Sequence, residues 1–224
     1  MNRQRLRQLI SDGEGVRIEF KRRFTSPEKI AKELCAFANT KGGYLLFGID
    51  DDGSIVGVES EKEQIELVRQ AAEFYIEPSV NVTIEVVEIE WKDVVVVYVE
   101  ASADRPHRVI DERGNKRHVT GTVYIRTQAE SVQASREMVR LLREQRSDAP
   151  PLRLYIGDRE RRLFTYLEKH HRITVAEFAR LVNISRRRAL QLLIRLVRAQ
   201  VLVLHSETPT NYFTLVDNGD NIES

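Results

Sequence analysis

A single cysteine, Cys35, leaves no partner for an internal disulfide. A disulfide-stapled fold is therefore excluded, and a reducing compartment is expected. Its neighbours Leu34, Ala36 and Phe37 mark it as a small buried apolar residue. No apolar run approaches the roughly 18 to 20 residues of a membrane span, and the opening MNRQRLRQLISDGEG lacks the apolar core of a secretory signal. A cytoplasmic protein without membrane contact is expected. No internal repeat or low-complexity tract is present. No spaced Cys/His set points to zinc, and no Ser/His/Asp order points to a hydrolase nucleophile. Nor is there a net charge of one sign, since the total is only +1.

That near-neutrality hides an asymmetry. Residues 151–205 carry 12 Lys and Arg against 4 Asp and Glu, so one end is suited to a polyanion. Hydrophobic residues at 42% supply a core, and 31% charged residues predict a heavily charged surface. The stretch EQRSDAPPLR, 144–153, ends a helical pattern in a proline pair that cannot continue it. It divides the chain into a first domain over 1–146, a linker over 147–153, a smaller domain over 154–217 and a disordered tail over 218–224.

In the first domain a helix over about 3–11 is expected to stop at Asp12-Gly13. VRIEFKRRF alternates Val16, Ile18 and Phe20 against Arg17, Glu19 and Lys21, as a half-buried strand does. Ser26 and Pro27 open the next helix. The strands GYLLFGID and SIVGV meet at DDDG, and a helix over 61–76 follows. VNVTIEVVEIE and KDVVVVYVEA make a hairpin. Strands near 107–111 and 116–127 then lead to a helix over 131–145. Helices interleaved with antiparallel strands predict an α+β fold around a mixed sheet flanked by helices.

The smaller domain reads as a winged helix-turn-helix: a helix at DRERRLFTYLEKHH, a second capped by Thr174 and Glu177, a third after Ser185, and a hairpin from VLVLHS to NYFTLV. On the third helix Ala189, Leu190, Leu193, Ile194 and Val197 share one face. Arg187, Arg188, Gln191, Arg195 and Arg198 share the other, which carries no acid. Arginine matches guanine and phosphate, and glutamine matches adenine, so this face is the expected nucleic-acid-binding surface. The alternative is a winged helix that only docks protein or dimerises.

Gly42 and Gly43 follow a helix and precede a strand, the reverse of a phosphate-binding loop, so they read as a helix stop. Asp50, Asp51 and Asp52 fit either a turn or a carboxylate cluster. If the VRIEFKRRF strand lies beside theirs, Glu19 and Glu14 join them, a set of oxygens suited to Mg²⁺ or Mn²⁺. Lys21 would then face a phosphate.

VRIEFKRR, CAFANTKGGYLLFGIDDDGSIVGV and GTVYIRTQAESVQAS resemble, in order, the three blocks of the Schlafen-type AlbA-like domain, over about residues 10–135. Many members carry a winged helix after it and are taken as DNA-binding transcriptional regulators. The resemblance implies a nucleic-acid-binding homodimer, DNA being the expected partner before RNA. Its animal branch cuts transfer and ribosomal RNA with a carboxylate triad and a divalent metal. Carried over, the metal ligands would be Glu14, Glu19 and Asp51, with Lys21 joining them in catalysis. The third block has Gln128 where the family pattern has glycine.

Overall fold

The helices begin where a side chain satisfies their free amides. Asn2 caps α1 (Arg3–Asp12) by accepting from the Arg5 amide, and Ser26 caps α2 (Pro27–Asn39), with Pro27 at the first helical position. Ser60 caps α3 (Glu61–Phe74). The computed structural model describes residues 1–110, 121–146, 148–206 and 210–216, which fall into two units, Met1–Ala134 and Ser135–Ser224.

The strands of the first unit are β1 (Ile18–Lys21), β2 (Gly43–Phe47), β3 (Ile76–Glu77), β4 (Val82–Ile89), β5 (Lys92–Val99), β6 (Arg108–Ile110), β7 (Gly121–Thr122), β8 (Tyr124–Thr127) and β9 (Glu130–Gln133). The main sheet runs β1-β2-β5-β4, with β1 and β2 parallel and the other neighbours antiparallel. The expected α+β fold with a mixed sheet flanked by helices is present. The unbroken valine run of β5 is explained by burial on both faces. Val94 and Val96 pack with Leu6 and Leu9 of α1. Val95 and Val97 pack with Leu34 and Phe37 of α2 and Val68 of α3. Each such valine contributes roughly 1.5 to 3 kcal/mol of burial.

Gly42 and Gly43 stop α2, as expected. The Gly42 amide donates to the Phe37 carbonyl, and the residue takes φ +69. A Cβ on Gly42 would lie 2.6 Å from the Val99 carbonyl oxygen, and one on Gly43 2.5 Å from the Phe37 ring. The pair lets the chain pass against β5 and α2, so close packing accounts for both glycines.

Two local expectations change. SIVGV forms no strand, only a bridge from Ile55 to Ile49, because the chain turns at Gly48, whose carbonyl accepts from both Val56 and Gly57. The helix expected from 131 starts at 136, because Glu130–Gln133 pairs with β8. The turn between them holds Gln128 at φ 54, the left-handed conformation that glycine adopts without cost. Replacing Gln128 with Gly should therefore raise the unfolding free energy by up to about 1 kcal/mol, read from urea denaturation. A loss of stability would mean that the Gln128 side chain matters more than its backbone strain.

In the second unit Ser135 caps α4 (Arg136–Glu144), and α5 (Asp158–His170) follows. Thr174 and Glu177 form the expected capping box at α6 (Val175–Leu181), and Ser185 caps α7 (Arg186–Arg198). β10 (Leu202–His205) and β11 (Tyr212–Leu215) form an antiparallel hairpin, and Ile173, just before α6, bridges to Phe213. Leu163, Leu167, Phe178, Leu193, Ile194 and Phe213 make the core. Leu141 of α4 is buried in that same core. The division between units therefore falls at 134/135 and not at the proline pair, since the apolar face of α4 is satisfied by the second unit. The expected tail over 218–224, the turn at Pro209, residue 147 of the linker and residues 111–120 lie outside the described residues. Among the described residues no helix is long and apolar enough to cross a membrane.

Candidate nucleic-acid interface

In the first unit the chemistry-bearing side chains converge on Arg126, whose side chain is fully buried. Its Nη1 donates to Glu19 Oε2 at 2.9 Å, Glu33 Oε2 at 3.0 Å and Ser131 Oγ at 3.2 Å. Its Nη2 donates to the Gly15 carbonyl at 2.6 Å, and the guanidinium lies 4.9 Å from the Phe37 ring centre. Lys21 Nζ donates to the other oxygen of Glu19 and, at 3.0 Å, to the Phe20 carbonyl. Ser131 Oγ donates to Glu33. Two carboxylates thus face two cations in a largely buried pocket with Lys21 at its partly exposed edge, where an unpaired charge would be costly.

Glu19 was expected on a solvated strand face. It is only 8% exposed, because α2 and the β8–β9 hairpin cover that face of β1. The expected metal set Glu14, Glu19 and Asp51 does not come together. β1 does lie beside β2, but the parallel register sets Glu19 opposite Leu45. Asp50 is five residues further on, past the end of β2 at Phe47 and the turn at Gly48. Exposed Glu14 accepts from the Phe20 amide at 2.9 Å. Asp50 pairs with Arg22 at 3.0 Å, Asp52 accepts from the Ser54 amide at 2.8 Å, and Asp51 is exposed on the turn. Bonding to Ser54 holds the Asp52 carboxyl below its usual range. Among the described residues no three carboxylate, histidine or cysteine side chains are grouped to hold a metal. Lys21, expected to face a phosphate, is engaged by Glu19.

In the second unit the outward side of α7 carries Arg187, Arg188 and Arg195, all exposed. Among the described residues none of the three side chains has an ion-pair or hydrogen-bond partner. Gln191 is half-buried beside them. Arg198, expected on the same free face, is taken up within the unit. Its Nη2 donates to the Pro150 carbonyl at 3.1 Å, and its Nη1 lies 3.8 Å from Glu144. Arg195 borders a cavity of about 470 Å³ shared with Arg153, Tyr155 and Arg159.

Residues 14–135, more than half of the chain, match the family described as Schlafen, AlbA_2. The chain belongs to this family. The match ends within a residue of the boundary between the two units. Two solved structures are similar at 20% identity: the DIP2311 protein from Corynebacterium diphtheriae, with a TM-score of 0.44 over 66% of this chain, and the N-terminal domain of a protein from Nitrosomonas europaea described as ATP-dependent DNA helicase RecG-related, with a TM-score of 0.41 over 68%. The similarity covers 34% of the first of those chains and 92% of the second.

The three motif blocks of the Schlafen AlbA_2 unit are bound to one another. Glu19 of the first block and Phe37 of the second both hold Arg126 of the third. Thr40 Oγ1 accepts from the Arg126 amide at 2.9 Å. Asn39, 1% exposed, donates to the carbonyls of His107 and Tyr124 and accepts from the His107 amide at 2.8 Å. Sequence reasoning passed over Arg126, Glu33, Asn39 and Ser131. The signal for Arg126 was present in VYIR, a charged residue directly after an apolar run on a short strand.

His107, 3% exposed, is a scaffold residue of the same network. Its Nδ1 lies 2.6 Å from the Pro78 carbonyl and so carries a proton, while its buried Nε2 has no partner among the described residues. Desolvation lowers its pKa from 6.5, opposed by the Pro78 bond and Asp104 and aided by Arg105. The unfolded chain thus takes up a proton near pH 6.5 that the folded chain refuses until lower pH. Stability from this group is full above that value and falls as pH drops toward the lowered folded pKa. His107→Asn, which can keep the bond to Pro78, should flatten the pH dependence of the urea midpoint below pH 7. Parallel curves for both proteins would contradict this. Burial also pushes the Cys35 thiol up to about 12, consistent with a packing role.

Proposed function

We propose that the second unit is a winged helix that binds nucleic acid, DNA duplex in preference to RNA, and that the chain is a dimeric cytoplasmic transcriptional regulator. The observation that carries this reading is the outward face of α7: three exposed arginines without partners among the described residues, and no acid on that face. A face that served only solubility would be expected to mix signs. Arginine forks fit both phosphate oxygens and the guanine edge, so the same side chains can position and read a duplex. The order helix, bridged residue, helix, turn, helix, hairpin supports the winged-helix assignment. In a dimer two such helices would meet two half-sites.

Metal-dependent RNA cleavage, the other expectation, draws no support from carboxylates that are paired, hydrogen-bonded or exposed on a turn, with no three of them grouped to hold a metal among the described residues. Anisotropy titrations of the intact chain against a mixed-sequence DNA duplex and a structured RNA, with Mn²⁺ present throughout, separate the two. The reading predicts tighter, steeply salt-dependent binding to the duplex and intact RNA. RNA products formed by the wild type and lost in Asp51→Asn would reverse it.

A further inference from the structure

Resting on the nucleic-acid reading above, we propose that α4 contributes a second contact to the sugar-phosphate backbone of a duplex, with Arg136 as its anchor. A groove of about 430 Å³ opens between the first turns of α4, α6 and α7 and the residues before β11. Arg136 comes from α4, Arg186 and Arg187 come from α7, and Thr174, Thr210 and Asn211 add polar groups to the lining. All three arginines are exposed, and among the described residues none of their side chains has an ion-pair or hydrogen-bond partner. The one acid in the lining, Glu137, accepts from Asn211 Nδ2 at 2.9 Å. Three cations against one engaged carboxylate leave the groove positive.

The chemistry of the groove points to phosphate. Each guanidinium presents a planar fork that matches phosphate oxygens, and the arginines are weakly hydrated, so little is lost when they are brought together on an anion. The apolar side chains of the lining are Val175, Ala176 and Leu190, and no aromatic ring is among them. Arg136 is also held in register with α7. Met138 and Leu141 of α4 pack into the core that Leu193 and Ile194 of α7 enter, and Glu144 at the far end of α4 lies beside Arg198. The spread from Arg186 to Arg195 along α7 is roughly 13 Å. The groove carries this line of cations sideways onto α4, so the backbone-binding surface is wider than one helix.

The test is Arg136→Gln in the intact chain, titrated with a mixed-sequence DNA duplex over a range of salt. Arg162→Gln, at an exposed position of α5 away from the groove, serves as the charge control. The expected result is a loss of affinity on the order of five- to tenfold and a fall of roughly one in the slope of log K against log salt. Arg162→Gln should change neither. Since the Arg136 side chain is exposed and unpaired among the described residues, an unchanged thermal midpoint is expected and checks that the fold is intact. A wild type that binds the duplex with an Arg136→Gln variant of equal affinity and slope overturns this inference alone. A wild type that binds no duplex overturns the nucleic-acid reading and this inference with it. Arg136-dependent binding of an acidic peptide, with duplex affinity unaltered by the substitution, would also overturn it.

Discussion

Replacing Arg126 with Met is expected to lower the unfolding free energy of the Schlafen AlbA_2 unit by about 3 to 5 kcal/mol. The guanidinium is fully buried between Glu19 and Glu33, whose side chains are themselves only 10% and 11% exposed. Without it, two carboxylates share a largely buried pocket with Lys21 as the nearest cation, and the Gly15 carbonyl loses its donor. The loss also removes the side-chain tie from β8 to β1 and Glu33, leaving the backbone bonds of β8 to Asn39 and Thr40, so native packing of the β8–β9 hairpin should weaken with it. Neutralising the acids restores the balance. A variant carrying Glu19→Gln and Glu33→Gln beside Arg126→Met should recover most of the deficit, since a buried ion group replaced by neutral residues of similar volume is often close to neutral. Urea unfolding at constant slope measures both. A loss below about 1 kcal/mol for Arg126→Met would show that water reaches the pocket and that the network is a surface feature.

Reversing two charges on α7, Arg188→Glu with Arg195→Glu, should reduce duplex affinity at least about a hundredfold and flatten its salt dependence. Each reversal removes a phosphate neutralisation and its counterion release, then adds a repulsion. Both side chains are exposed, and among the described residues neither has a partner. The fold should therefore survive, and an unchanged urea midpoint is the check. Arg198→Gln should behave differently, because its guanidinium is held by Pro150 and Glu144. Its cost is expected in stability and only weakly in affinity. Unchanged duplex binding by the double reversal would move the interface elsewhere.

Local signals in the sequence located most elements because the forces that set them are local. Ser26 with Pro27, Thr174 with Glu177, and Ser185 each satisfy amides within three residues, and their helices begin where those side chains stand. The helix stop at Gly42 was legible for the same reason, whereas the close approach of the pair to β5 is tertiary. Alternation along VRIEFK separated the two faces of β1 correctly, yet periodicity registers only the contrast between faces. It does not register what covers the second face, and Glu19 is buried there by Arg126, 107 residues away. The apolar stripe of α4 could have packed against either unit, and its burial with Leu163 and Phe178 comes from tertiary packing that spacing leaves open. Adjacency of β1 and β2 was anticipated, but local spacing does not carry their register, which sets Glu19 opposite Leu45.

The central claim is that nucleic acid meets α7 while the Arg126 network stays closed as scaffold. It is tested most directly by following the arginine side-chain Nε resonances of the intact chain as a DNA duplex is added. Arg187, Arg188 and Arg195 should shift and saturate together, while buried Arg126 stays in place. Shifts confined to Arg126 and its neighbours, with those of α7 unmoved, would contradict the account.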